Sequence, residues 1–156
     1  MSLIAILRVR GSMETRGKLE VVMKQNHLTR KNHMILIQSG PQTTGFLHVA
    51  NDWITYGEVS EKVVEKLFRE RGEVIGGKRL TDEFLSKNSK YKTISDYAKH
   101  FFEGTANFKE VENLKPLFRL HPPIKGFERL GIKQRYPKGA LGNRKEKIND
   151  LILRML

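Results

Sequence analysis

Apolar positions recur along the chain first in short unbroken runs and then at helical spacing. Residues 3–9 (LIAILRV) and 33–38 (HMILIQ) are compact apolar runs of the kind a buried strand makes, the first ended by Gly11 and the second by Ser39-Gly40-Pro41. Between them, Leu19, Val22 and Met23 lie on one face of a helix predicted over residues 16–26. A short helix is expected over 43–51, and WITY at 53–56 is rich in strand formers. Ser60 then caps a helix whose Val63, Val64, Leu67 and Phe68 share one face and which Gly72 ends. The first 72 residues thus spell β-α-β-α-β-α. That alternation predicts an α/β sandwich, a small sheet with helices packed on one face and the other face left free.

After Gly76-Gly77 the rhythm is that of short helices. Thr81-Asp82-Glu83 places a cap and two acids at a helix start, Thr93 to Asp96 matches a capping box, and Tyr97, Phe101 and Phe102 form an apolar stripe ending at Gly104. LFRL at 117–120 is one further strand candidate. Over 145–156, Ile148, Leu151, Ile152 and Met155 recur at i, i+3, i+4, i+7, an amphipathic helix that should fold back onto the body. The expected organisation is a core at 1–72, a helical extension at 73–117, an extended basic loop at 118–144, and a closing helix at 145–156.

Charge changes this picture. The 156 residues carry a net +12, spread as +4 over 1–57, +1 over 58–115 and +7 over 116–156. A balanced middle reads as solvated helix faces, with Glu61, Glu65, Lys62, Lys66 and Arg69 at i,i+4 spacing. A pI near 10 selects a polyanionic partner, nucleic acid or an anionic membrane surface. Cysteine is absent, which excludes disulfides, thiolate metal sites and cysteine nucleophiles. Seven mostly apolar residues before Arg8 and Arg10 are too few for a signal segment or a span, so a soluble, cytoplasmic protein is expected.

The chemistry concentrates in residues 122–147, which hold eight Lys or Arg, two Glu, four Gly and three Pro. That composition excludes a continuous helix, and a connection this long is functional or disordered. Mutual repulsion should keep it extended alone, while a phosphate backbone reverses the sign of that term through counterion release. Phe118, Phe127 and Tyr136 alternate with Lys125, Arg129, Lys133, Arg135 and Lys138, so stacking and phosphate contact can alternate along the strip. The five histidines (His27, His33, His48, His100, His121) show no zinc spacing. Gly76-Gly77-Lys78 lacks the rest of a P-loop, and Gly11 has no dinucleotide fingerprint around it. No cofactor and no small-molecule substrate is expected. His121, set among basic groups, is a candidate acid or base for RNA cleavage or a plain RNA contact. An RNA-processing enzyme and a free-standing RNA-binding regulator therefore stand as alternatives to a structural RNA binder.

The segments RVRG at 8–11, LTRKNH at 28–33, GFLHVANDWITYGEVSEKVVEKLFRERG at 45–72, KRLTDEFL at 78–85 and FRLHPPIKGFERLGIKQRYPKGALGNR at 118–144 resemble the large-subunit ribosomal protein L-thirty family. The resemblance is to its archaeal long form, related to the eukaryotic L-seven protein, and runs along nearly the whole chain. It implies a ferredoxin-like β-α-β-α-β core with a small antiparallel sheet, and a non-enzymatic role in the large ribosomal subunit. Its implied partners are large-subunit rRNA and neighbouring ribosomal proteins, without homo-oligomers. Its RNA-facing regions map onto Arg8 and Arg10, onto Arg30 and Lys31 in the loop after residue 28, and onto the tail, with Arg119, His121, Lys125, Phe127, Arg129, Lys133, Arg135, Tyr136, Lys138 and Arg144.

Overall fold

A computed structural model describes residues 2–12 and 17–156. Residue 16, where the sequence pattern begins the first helix, lies outside them. Strand β1 (Leu3–Arg8) leads into α1 (Gly17–Gln25), β2 (His33–Gln38), α2 (Pro41–Ala50), β3 (Ile54–Glu58) and α3 (Glu61–Arg71). The extension adds α4 (Asp82–Asn88) and α5 (Ile94–Glu103), and the chain continues through the two-residue strands β4 (Phe118–Arg119) and β5 (Gly142–Asn143) to α6 (Ile148–Leu153).

The sheet has the order β4-β2-β1-β3-β5. Central β1 is antiparallel to both neighbours, with Ala5 opposite Leu36 on one side and Gly57 on the other. The sheet is not wholly antiparallel as expected: β5 pairs with β3 in parallel, Thr55 beside Gly142. The parallel pairing follows from the route of the chain, which returns to this edge from the far side of the sheet.

Both faces of the sheet are covered, which corrects the expectation of a free face. Leu3, Ala5, Leu7, Met34 and Leu36 pack against Val63, Val64, Leu67 and Phe68 of α3, Tyr97 and Phe101 of α5, and Ile148, Leu151 and Ile152 of α6. On the opposite face Ile6, Ile35 and Ile54 meet Leu19 and Met23 of α1, Leu28, and Phe46, Leu47 and Ala50 of α2. The unbroken apolar runs required this outcome, since successive residues of a strand point to opposite faces and here both sets are apolar.

The local signals act largely as their chemistry suggests. Thr81 and Thr93 each accept a hydrogen bond from the amide three residues on, at Phe84 and Asp96. Gly104 closes α5 in the left-handed conformation (φ 82°). Ser60 makes no side-chain cap to α3; instead its amide donates to Asn149 Oδ1 at 3.0 Å while Asn149 Nδ2 donates to Glu58 O at 3.1 Å. The closing helix is thereby tied to the start of α3. Gly57 allows this approach, because a Cβ there would clash with the Lys145 carbonyl and sit 3.0 Å from Ile148 Cβ.

Phe68 joins core to extension. Its ring centroid lies 5.1 Å from Tyr97, 5.4 Å from Phe101, 5.9 Å from Phe108 and 5.3 Å from Phe118, and the residue is fully buried. Truncating so central a ring removes transfer energy and leaves a cavity. Phe68→Ala is expected to cost about 3–5 kcal/mol, which lowers the thermal midpoint by roughly 6–20 °C in a chain of this size. A calorimetric shift under about 3 °C would show that the two parts do not share this core.

Candidate nucleic-acid interface

Sheet topology brings the basic segments to one end of the molecule. β1 leaves the sheet at Arg8, β2 enters at His33 and β3 enters at Ile54, all at the same end. β4 leaves there too, with Arg119 beside His33, and β5 re-enters there, with Gly142 beside Thr55. Residues 120–141 therefore form a strap that departs from one edge of the sheet and returns along the other. Its beginning lies against α6: the His121 amide donates to Met155 O and the Ile124 amide to Arg154 O.

The strap is more than an extended ribbon. Leu130 N–H donates to Lys138 O (3.1 Å), Ala140 N–H to Gly131 O (3.0 Å), Leu141 N–H to Gln134 O (3.0 Å) and Gly139 N–H to Arg135 O (2.9 Å). Its far end is bolted down by Arg144. This guanidinium, 3% exposed, meets both carboxylate oxygens of Glu128. It also donates from Nε to Thr55 Oγ1 (2.9 Å) and from Nη2 to Ala140 O (3.2 Å). Thr55 in turn donates to Gly142 O at 3.0 Å, so strap, β3 and β5 share one network. Such a bidentate pair compensates the cost of burying a guanidinium, a cost that is severe when the partner is missing.

Arg8 is likewise buried, at 1% exposure. It donates from Nη1 to Leu28 O (2.6 Å) and Thr29 O (3.1 Å) and from Nε to Arg10 O (2.9 Å). The sequence placed Arg8 and Arg144 on the RNA-facing surface. In the structure they are internal braces, one for the loop after Leu28 and one for the strap, with no exposed charge to offer a ligand. Tyr136 lies 4.9 Å from the Arg144 guanidinium, Phe127 packs on Val9, Ala140 and Leu141, and both residues are half-buried.

The other sequence candidates are at the surface of this end. Arg30, Lys31, His121, Lys125, Arg129, Lys133 and Lys138 are exposed. Arg119, also exposed, lies 3.7 Å from Glu73, and Arg135 pairs with Asp52 at 3.1 Å, both two-thirds exposed. Pairs of this kind hold loosely and are readily exchanged for a phosphate. Arg10 stacks its guanidinium 4.3 Å over Trp53 and donates to Asp52 O. Trp53, Asp52 and Glu128 were not anticipated as parts of this surface. For Glu128 a signal existed: it is the lone carboxylate between residues 119 and 144, amid seven Lys or Arg.

The field of this cluster registers on His33, whose ring is buried and shares a 3.2 Å hydrogen bond with Thr29 Oγ1. Burial lowers its pKa, and Arg119, Arg30 and Arg8 lower it further, outweighing a backbone hydrogen bond that opposes them. A cationic end of this kind, carried on a rigid α/β platform, concentrates polyanions and positions phosphate contacts. Among the described residues no group of His, Cys, Asp and Glu is arranged to hold a metal ion. No helix of the described residues is long and apolar enough to cross a membrane.

Platform and strap together present a cationic surface of the class that proteins with polyanionic partners carry. Comparison with known sequences is more specific. The chain is 38% identical to the large ribosomal subunit protein uL30 of Archaeoglobus fulgidus over 98% of its length and 99% of that protein's. It is 40% identical to the uL30 protein of Methanopyrus kandleri, covering 95% of the chain and 100% of the relative. The uL30 protein of Staphylothermus marinus is 41% identical over 99% and 98%. No protein-family model matches the chain. The chain belongs to the large ribosomal subunit protein uL30 family, in agreement with the archaeal resemblance seen in its motifs.

The Glu128–Arg144 pair makes stability depend on acid pH. Burial pushes the Glu128 carboxyl up, but hydrogen bonds from Arg144 and from its own amide, with the charges of Arg144 and Arg154, outweigh it and hold the pKa below the ordinary value. A carboxyl lowered in the folded state stabilises fully above its unfolded pKa and loses that contribution as pH falls through the folded one. Glu128→Gln, which leaves Arg144 buried without a counter-charge, is expected to cost about 2–4 kcal/mol at neutral pH. Urea midpoints should show the gap between wild type and variant narrowing as the pH drops below about 4. A gap independent of pH would contradict the pairing.

Proposed function

We propose that this protein is a structural constituent of the large ribosomal subunit that holds large-subunit rRNA through the strap and the adjoining loop. The observation that carries the reading is the gathering of exposed Arg30, Lys31, Arg119, Lys125, Arg129, Lys133, Arg135 and Lys138 at one end of the sheet. Arg8 and Arg144 shape that surface from within. Phosphate contacts of this kind fix register and orientation on folded RNA without reading sequence. Catalysis has no part in the reading, and His121 serves at most as one more polar contact. The relatives' shared name, a large ribosomal subunit protein, supports the assembly, and the ribosome places the protein in the cytoplasm. Neighbouring ribosomal proteins are the expected partners of its remaining surfaces.

If the strap and loop neutralise about five to seven phosphates, log affinity for an rRNA fragment falls against log salt with a slope of roughly −4 to −6. Replacing Arg129, Lys133, Arg135 and Lys138 together by Gln should flatten the slope to about −1 to −3 with an unchanged thermal midpoint. The same variant should leave large subunits at lower salt than wild type in sedimentation. An unchanged slope, or a wild-type protein that never co-sediments with large subunits, would refute the reading.

A further inference from the structure

The exposed apolar side chains of the strap are not accounted for by phosphate contact. Ile124 is 69% exposed, Leu130 53% and Ile132 41%, whereas the aromatic rings of the same stretch are engaged with Val9, Ala140, Leu141 and Arg144. Single exposed aliphatics are ordinary. Leu130 and Ile132 differ because the tip that carries them is built to hold its shape. Gly131 between them has φ 70°, its amide donates to Glu128 O at 2.8 Å, and its carbonyl accepts from Ala140. The foot of the tip is Glu128, whose carboxylate grips Arg144. Exposed Arg129, Lys133 and Lys138 adjoin the two aliphatic side chains in sequence or through the Leu130–Lys138 hydrogen bond. The tip is thus a shaped turn that exposes two aliphatic side chains within a cationic stretch, and no acid stands among residues 129–141.

We propose that this tip seats in the minor groove of double-helical RNA. The A-form minor groove is wide and shallow, walled by two rows of phosphates and floored by sugars and base edges. The cations match the walls, and Leu130 and Ile132 meet the ribose C–H edges that lie between the 2′-hydroxyls of the groove. Stacking on unpaired bases needs open ring faces, whereas Phe127 is packed on Val9, Ala140 and Leu141 and Tyr136 carries Arg144 over its ring. An apolar protein surface would have to desolvate three cations without opposing charge, an unfavourable exchange. A tip already held in shape also loses little conformational entropy on docking.

The proposal rests on the reading that the strap binds rRNA, but its signature is separate. Ion contacts set the slope of log affinity against log salt, whereas an aliphatic contact displaces the line without tilting it. The test titrates wild type and the Leu130→Ser/Ile132→Ser double variant against an RNA duplex and a single strand of equal length, across a salt series. The variant is expected to lose roughly tenfold in duplex affinity at every salt concentration, with an unchanged slope. Its loss on the single strand should stay under about twofold. Its thermal midpoint should match wild type, because both side chains are exposed. Duplex affinity within about twofold of wild type, an equal loss on the single strand, or a changed slope would each overturn the proposal. So would a variant that binds RNA normally yet is lost from large subunits, since that result assigns the tip to a neighbouring protein. A wild-type chain with no salt-dependent RNA binding would defeat the functional reading itself, and this proposal with it.

Discussion

The pairing of buried Arg144 with Glu128 is the contact on which the cationic end of this protein depends. Residues 118–144 carry seven Lys or Arg against one acid, and like charges at such density favour an expanded chain. Arg144 converts one of those cations from a source of repulsion into a fastening, taking the only carboxylate in the stretch and linking it to Thr55 on β3. The remaining cations are left exposed along a path whose two ends are fixed. A buried ion pair is weak support for stability as such; here its consequence is shape, because it decides where the strap returns to the sheet.

Topology supplies the second constraint. Both outer strands are only two residues long, yet each is registered at the end where β1 exits, so the strap must cross that end to connect them. These short strands also occupy the edges that β2 and β3 would otherwise present for pairing. The same chain segment thus completes the sheet and displays charge. The rest of the extension serves the opposite purpose, with the rings around Phe68 and the apolar face of α6 giving the platform a continuous core. Rigidity there keeps loop, strap and Arg10–Trp53 stack in one arrangement.

The elements were legible where local pattern and tertiary environment agree. The strand at 33–38 and the terminal face of Ile148, Leu151, Ile152 and Met155 appear as the periodicity predicts, all four of those side chains being fully buried. The cationic surface was legible from net charge, and its concentration in the strap from the composition of the tail. What the pattern hid was the division of labour among arginines. Nothing local distinguishes Arg8 or Arg144 from Arg10 or Arg129; their roles depend on carbonyls and a carboxylate brought near by the fold, such as Leu28 O and Glu128. Likewise Phe127 and Tyr136 read as stacking platforms because aromatic residues in a basic strip fit that chemistry, while the fold sets Phe127 against Val9 and brings Arg144 over Tyr136. The second covered face was written in the successive apolar residues of β1 and β2, Leu3 to Leu7 and Met34 to Ile37, which supply both sides of the sheet.

The central claim is that the strap holds its shape before it meets any ligand. Amide hydrogen exchange in the isolated protein tests it most directly, at Leu130, Ala140, Leu141 and Arg144, whose N–H groups donate to Lys138, Gly131, Gln134 and Tyr56. The account predicts exchange slowed by about two orders of magnitude or more relative to an unstructured chain, with the protection lost in Glu128→Gln. Exchange of these amides at unstructured rates in the wild-type protein would contradict it.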